Sequence, residues 1–596
     1  MAGPGPSLRQ LAKDERPTSS RAVAGRLLGY LTPHRAQLAK GVAWLLVSSA
    51  AVAATPALTG RLVDTALEAA GSGRWTVLTP TALLLVGAAL VGWFAQRMQI
   101  LTLGMAGQRA LYAVREDVFA RIVSLDVGYF EAVESGDLMS RLINDIEQVN
   151  SFLSQGFRRL LSSAFSLVAT LAFMLVVEWR LALATLLIVP VMLGVTRLFG
   201  MLARRAFARR QEAIGDVSAT LAEELGGIRV AQAFNRTDRN KRQFTDRNAV
   251  NRDANIGAAT VSSAFSPVLS VISTSATAMV AAVGGWSAAQ GLITIGVVVA
   301  FLNYARQFFN AITQLSSLYS ETQSALAGGE RVFQLLDTMS AVPETPGATV
   351  LGRPKGRIAF EGVRFSYRTG DEVLHGIDLE VAPGESVAIV GATGAGKSTL
   401  VNLVPRFYDP TAGVVRVDGS DVRTLTLPSL RGSFGIVLQD PFLFTGTLAD
   451  NIRYGATDAT DEQVREAART AGALDFIEGF ENGFLTEVGE RGGSLSTGQR
   501  QLIAFARAIV GEPAILIMDE ATSSVDSRTE QIIQQGVRRI LNGRTSLIIA
   551  HRLSTIRDAD RIVVLENGVI AEQGTYKELL SAGGPFADLH SAQFSE

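Results

Sequence analysis

The stretch Gly391-Ala392-Thr393-Gly394-Ala395-Gly396-Lys397-Ser398 decides the fold of this chain. The apolar run Ser386-Val387-Ala388-Ile389-Val390 precedes it and Thr399-Leu400-Val401 follows, so the order reads strand, glycine-rich loop, helix. Glycines at this spacing let the backbone turn tightly, with successive N–H groups facing inward at a helix N-terminus, which makes a cradle for a phosphate chain. Lys397 is placed to reach the β- and γ-phosphates, and the Ser398 hydroxyl to complete a Mg²⁺ coordination sphere. Gly391, Thr393, Gly394, Ala395, Gly396 and Thr399 supply the rest of the cradle. The motif implies binding of a nucleoside triphosphate.

Working outward, 596 residues exceed what one hydrophobic core organises, and 47% hydrophobic residues with a net charge of −1 favour membrane spans over nucleic acid as a partner. The absence of Cys excludes disulfides, thiol catalysis and Cys-ligated zinc, and the four histidines, His34, His375, His551 and His590, have no metal-site spacing. Residues 1–21 form a polar leader without an apolar cleavable core, so the N-terminus is expected to be cytosolic. Ala22 to Arg35, with Leu27, Leu28 and Leu31 beside Arg26 and Arg35, reads as a short interfacial helix.

Six apolar stretches within 22–328 approach the roughly 20 residues needed to cross a hydrocarbon core. They are Gly41–Gly60, Leu78–Gln96, Leu160–Val177, Leu181–Phe199, Val261–Ala282 and Ile295–Leu315, the third and fourth divided only by Glu178-Trp179-Arg180. The two long arginine-rich segments between spans, Arg97–Arg159 and Arg204–Arg252, are expected to be cytosolic by the positive-inside rule, and an even number of spans returns the C-terminal half to that side. Leu138, Leu142, Ile146 and Val149 repeat at helical spacing, so the spans are expected to continue into the cytosol as helices. Arg306, inside the sixth span, is costly at that depth and is a candidate residue of a transport pathway.

A Pro-containing linker, 329–354, leads to a second domain, 355–596. Ile358–Tyr367 alternates like a strand and ends on Tyr367, an aromatic that could stack on a nucleobase or sit in the core. Ala514-Ile515-Leu516-Ile517-Met518-Asp519-Glu520 reads as a strand buried on both faces that delivers two acids to the pocket: Asp519 to hold Mg²⁺ through water, Glu520 to polarise the attacking water. His551 follows another such strand, Thr545–Ala550, within reach of a γ-phosphate, although a lone histidine is more often structural. Ser496-Thr497-Gly498-Gln499 is a Ser/Gly turn opening a helix, a second anion site. One nucleotide seldom needs both sites from one chain, so a head-to-tail pair of domains is the natural arrangement.

With these residues in view, the sequence resembles an ATP-binding cassette (ABC) transporter of the exporter type, with a six-helix transmembrane domain followed by an α/β P-loop ATPase domain. The resemblance adds Gln439, in Val437–Pro441, as sensor of γ-phosphate and Mg²⁺; Ser524 and Asp526, in Ser523–Asp526, as the D-loop; His551 as the switch histidine; and Tyr367 as the base-stacking aromatic. Phe130–Asp145 and Glu224–Phe234 resemble the family's two intracellular loops. The implied activity is ATP-driven export of amphipathic small molecules, drugs or lipids from the cytoplasmic membrane of a bacterium, with importer or ATP-gated channel as alternatives. Thr497 departs from the family's usual glycine, and a Cβ there could weaken approach to the γ-phosphate. In paired exporters of two different chains one partner often carries such a change, so a heterodimer with a second ABC half-transporter is favoured over a homodimer.

Overall fold

The computed structural model describes residues 20–133, 135–367, 370–519, 527–550 and 553–594. The described residues divide into two compact units: one lies within 20–122 and 136–337, the other within 123–135 and 338–594. The second unit is therefore discontinuous, where a single domain running from residue 355 was expected.

The first unit is helical throughout. Five helical stretches are long and apolar enough to cross a membrane: Thr32–Ser72, Trp75–Ser124, Gly136–Leu186, Thr237–Ala289 and Ile295–Leu315. The expected span Leu181–Phe199 is not one uninterrupted helix. Pro190 has no N–H to give the preceding turn, so the helix ending at Leu186 and the one starting at Val189 are separated by Leu187 and Ile188. Both residues keep right-handed helical dihedrals, so the path continues and the unit has six helical crossings. Spans three and four part at Glu178 alone, whose extended backbone (φ −160°, ψ 100°) is stabilised by its carboxylate accepting from the Arg180 N–H at 3.2 Å.

Large apolar side chains on the spans, such as Leu83, Leu90 and Trp93, are exposed, as a lipid-facing surface requires. The interior is built around Met174, Leu181, Met192, Leu269, Phe301, Tyr304 and Phe309. The continuation of the spans beyond their apolar stretches is helical, with Leu138, Ile146 and Val149 buried, and it contains two π-turns at Arg141–Asp145 and Phe152–Gly156. Asp145 in the first π-turn accepts from Arg331 Nε at 2.6 Å.

Two expectations change here. The N-terminal helix, Ser20–Gly29, does not lie free at an interface: Val23 and Leu27 are buried, with Leu31, against Val149, Leu153 and Phe333, and the Arg26 guanidinium sits 4.1 Å from the Phe333 ring centroid. The segment expected as linker from 329 is helical as far as Asp337. Gly328 and Gly329 explain the misreading, because they serve packing rather than a break: a Cβ on Gly329 would lie 3.1 Å from Val23, and one on Gly328 would lie 3.1 Å from the Asp145 carbonyl.

The second unit carries twelve strands among its described residues: β1 (Ile358–Ser366), β2 (Glu372–Val381), β3 (Ser386–Val390), β4 (Ala412–Val417), β5 (Ser420–Asp421), β6 (Phe434–Val437), β7 (Gly446–Thr447), β8 (Glu487–Val488), β9 (Ile515–Asp519), β10 (Thr545–Ile549), β11 (Arg561–Glu566) and β12 (Val569–Gly574). A six-stranded sheet has the order β12-β11-β3-β10-β9-β6, parallel from β11 to β6, and an antiparallel sheet has the order β2-β1-β4-β5. Along β3, Val387 and Ile389 enter one core and Ala388 and Val390 the other; β9 and β10 divide in the same way. That two-sided burial is why these strands read as continuous apolar runs.

Candidate nucleotide site and docking helix

Parallel pairing aligns the C-terminal ends of β3, β10, β9 and β6. Ile549 pairs with both Ile389 and Asp519, and Val437 pairs with Met518. The phosphate loop, Asp519 and Gln439 thus leave one edge of one sheet, the edge where ligands bind in open α/β folds. Glu520, Ser524, Asp526 and His551 lie outside the described residues, although the ends of β9 and β10 direct the chain toward Glu520 and His551.

In the loop, Gly391, Gly394 and Gly396 hold φ of 151°, 87° and 97°. A Cβ on Gly391 would lie 2.2 Å from the Leu565 carbonyl oxygen, and one on Gly396 2.8 Å from a Leu374 methyl. Only glycine satisfies both the torsion and the space. Lys397 is buried and donates from Nζ to the carbonyls of Gly391, at 2.9 Å, and Ala392, at 3.0 Å, so the ammonium is folded back over the loop. Burial pushes the Lys397 pKa down, and the charge of Asp519 acts against that shift. Thr393, Gly394 and Ser398 are exposed on the loop's open side, while Ala395 and Thr399 are buried beneath it. An exposed Ser398 hydroxyl and the half-buried Asp519 carboxylate are hard oxygen donors of the kind Mg²⁺ takes, so the residues present fit that ion. Gln439 is exposed two residues past β6.

The Tyr367 hydroxyl is hydrogen-bonded to Thr399 Oγ1 at 2.9 Å, which ties the end of β1 to the helix Lys397–Asn402 that follows the phosphate loop. Its half-buried ring meets Phe365 and Tyr408 edge-on, with centroids 4.8 and 5.4 Å away. Burial pushes the Tyr367 pKa up.

The signature turn is built differently. Ser496 caps the helix Thr497–Ile509: its Oγ accepts from Gln499 N at 3.2 Å, while Gln499 Oε1 accepts from Ser496 N at 2.9 Å. Thr497 is exposed at the first helical position, and its Oγ1 accepts from Arg500 Nη2 at 3.1 Å. Arg500 also donates from Nη1 to the Leu495 carbonyl at 2.7 Å. Among the described residues, no hydrogen bond joins Ser496, Thr497, Gly498 or Gln499 to the phosphate loop of the same chain.

Sequence reading missed how the segment after Ser124 is seated. Asp126 caps the short helix Val127–Ala132 through Tyr129 N at 3.0 Å and accepts from Ala341 N at 2.7 Å and Ser340 Oγ at 3.2 Å. Gly128 lies under the Tyr408 ring, where a Cβ would come within 2.8 Å, and the Tyr408 hydroxyl donates to Glu131. Phe130-Glu131 stood in the recognised loop, but no local pattern marks Tyr408 as its partner.

Arg306, in the first unit, is exposed on a stripe with Asn303 and Asn310, opposite the buried Phe301, Tyr304, Phe308 and Phe309. It makes no ion pair among the described residues.

Comparison with known proteins agrees with this architecture. Residues 38–312 match the family model for the ABC transporter transmembrane region, and residues 374–523 match that for the ABC transporter ATPase. The chain is 37% identical over 593 residues, 99% of itself and 97% of the relative, to YfiC, an uncharacterized ABC transporter ATP-binding protein of Bacillus subtilis. It is 40% identical to a fatty acid ABC transporter ATP-binding/permease protein of Mycobacterium bovis, over 85% of this chain and 80% of that one. It is 36% identical to an ATP-dependent lipid A-core flippase of Thiobacillus denitrificans, over 97% and 99%. A solved bacterial Atm1-family ABC exporter with ATP bound superposes with a TM-score of 0.79 at 30% identity, covering 94% of this chain and 99% of the other. Fused helical and ATPase halves, a glycine cradle at the edge of a parallel sheet and matches along nearly the whole length lead to one conclusion: this chain belongs to the ABC transporter family, as an exporter-type half-transporter.

Proposed function

We propose that the chain is one half of an ATP-driven exporter of lipids or other amphipathic small molecules, a multi-pass protein of the bacterial inner membrane with both termini cytosolic. The observation that carries this reading is the fusion, in one chain, of five helical stretches apolar and long enough to cross a membrane to a phosphate cradle with Lys397 and Asp519 at its edge. The relatives named for fatty acid and for lipid A-core support a lipid-like cargo. Arg306 is the proposed pathway residue. A charge in hydrocarbon costs about 2.5–3.5 kcal/mol or more, so the stripe Asn303, Arg306 and Asn310 belongs against water, cargo or a second subunit.

In the proposed cycle, ATP lies between Gly391–Thr399 of one subunit and Ser496–Gln499 of the other, with Tyr367 on the base. Ser398, Gln439 and Asp519 would hold Mg²⁺, partly through water, and its chemistry there would be neutralisation of phosphate charge. Glu520 takes the proton of the attacking water, His551 acts on the γ-phosphate, Gln439 reports it, and Ser524 and Asp526 serve as the D-loop. Closure follows because ATP binds the paired domains better than the separated ones. ABC exporters work as dimers; Thr497 favours an unlike half-transporter as the partner. The second reading, a self-pair, is favoured by the ordinary helical start at Thr497, which requires no glycine.

Glu520→Gln in the reconstituted protein abolishes turnover while retaining ATP; unchanged hydrolysis overturns the base assignment. Robust ATPase from a complex weighing two copies of this chain selects the self-pair. Activity restored only by a second half-transporter lacking the glutamate selects the unlike pair.

A further inference from the structure

Two membrane helices turn opposite kinds of surface outward. Between Leu83 and Phe94 in the second span every exposed residue is apolar, with Leu83 68% and Trp93 62% exposed, as contact with lipid chains requires. Between Gly296 and Leu315 in the sixth span the exposed residues are Asn303, Arg306, Asn310 and Gln314, and all four are polar. They recur every three or four positions and so form one stripe down the helix, while Phe301, Tyr304, Phe308 and Phe309 join the core. Hydrocarbon is the wrong neighbour for that stripe. Two of its residues are engaged within the unit: Asn303 Nδ2 donates to the Val299 carbonyl at 3.0 Å, and Gln314 Oε1 accepts from Ser163 Oγ at 3.1 Å. Arg306 makes neither a hydrogen bond nor an ion pair among the described residues. Its depth closes the usual escape: it lies about 16 Å along the helix from Ile295 and about 14 Å from Leu315, too deep for the guanidinium to bend to either surface. Nor does the sequence carry a counter-ion at that level. The six apolar stretches contain no Asp or Glu, and apart from Arg306 their one charged residue is Arg197, near the end of the fourth. A self-pair would double the cation and still supply no acid.

We propose that the counter-ion of Arg306 is the cargo, and that the transported amphiphiles are anionic, with a carboxylate or phosphate head group on an apolar body. This rests on the reading of the chain as an exporter of amphipathic compounds and names the class within it. A guanidinium is planar, stays charged, and donates two parallel N–H bonds to either kind of oxyanion, so one arginine is sufficient to recognise the head group. Asn310, about one turn further on, offers an amide donor and acceptor to a hydroxyl or carbonyl beside the charge. A neutral head group leaves Arg306 unpaired and a cationic one is repelled by it, so the same residue that binds the favoured class rejects the others.

The test is competitive binding, read by native mass spectrometry, to the full-length chain in phosphatidylcholine nanodiscs, whose lipid has no net charge. Four probes share one apolar chain and differ in head group: oleate, oleyl phosphate, oleyl alcohol and oleylamine. The unmodified chain binds at least one of the two anions, with oleyl alcohol about tenfold weaker than that anion and oleylamine weaker still. Binding of oleate alone assigns a carboxylate, and of oleyl phosphate alone a phosphate. Arg306→Gln abolishes the preference, Arg306→Lys keeps it, and Arg306→Glu inverts it so that oleylamine binds first. Equal binding of all four probes by the unmodified chain overturns the proposal, as does an anion preference that survives Arg306→Glu. A purely structural role for Arg306 would lower binding of all four probes alike in the Gln and Glu variants, with no inversion, and that result also overturns it. If the unmodified chain binds none of the four, the reading that fails is the amphipathic cargo itself.

Discussion

The phosphate loop and the signature turn each present the start of a helix, yet they reach it by opposite means. Gly391, Gly394 and Gly396 lie at positive φ, and two of them sit where a Cβ would strike a neighbour. Between Ser496 and Gln499 no described residue has positive φ; the turn is made by a reciprocal pair of side-chain bonds, Ser496 to Gln499 N and Gln499 to Ser496 N. One proposed anion site is therefore specified by backbone torsion and the other by side-chain capping. That contrast accounts for a threonine at 497: a helix's first position accepts a Cβ, and Arg500 engages its hydroxyl.

Substitutions should rank accordingly. Gly391→Ala forces a Cβ onto the Leu565 carbonyl in a torsion that L-residues resist, and is expected to abolish ATP binding in a fluorescent-nucleotide assay. Affinity near that of the unmodified chain would mean the loop is not set by torsion. Lys397→Ala removes the ammonium while leaving every torsion in place, so ATP affinity should fall, by less than for Gly391→Ala; normal binding would contradict the cradle. Ser496→Ala deletes a cap worth about 1 kcal/mol and should lower ATPase roughly fivefold, with a small drop in the melting temperature of the ATPase domain. Thr497→Gly should change ATPase by no more than about twofold, because glycine's helix penalty is modest at a first turn. A large gain would show that Thr497 restrains a working site, which favours the self-pair over an unlike partner.

What could be read in the sequence follows the same division between local and distant causes. The cradle, the two-sided strands and the signature cap are each specified within about a dozen consecutive residues, so spacing alone revealed them. Asp519 was legible because an apolar strand ends on it. The break at Leu187–Ile188 was less so: Pro190 lies within the expected span Leu181–Phe199, but nothing local shows that it would divide the span between two helices. Gly328 and Gly329 looked like punctuation because their neighbours, Asp145 and Val23, are far away in sequence. The seat of Val127–Ala132 was hidden for the same reason, since 277 positions separate Glu131 from Tyr408.

That separation also governs the order in which the molecule can assemble. Residues 123–135 are synthesised long before 338–596, yet they complete the same compact unit. A helix of six residues is well below the roughly 12–15 needed for independent stability, so during synthesis this segment waits without a fold of its own. The ATPase unit is closed last, when Ala341 and Tyr408 arrive to meet Asp126 and Glu131. An ATPase fragment cut at residue 338 would thus expose the Tyr408 face, and a peptide spanning 123–135 supplied in trans should cover it again.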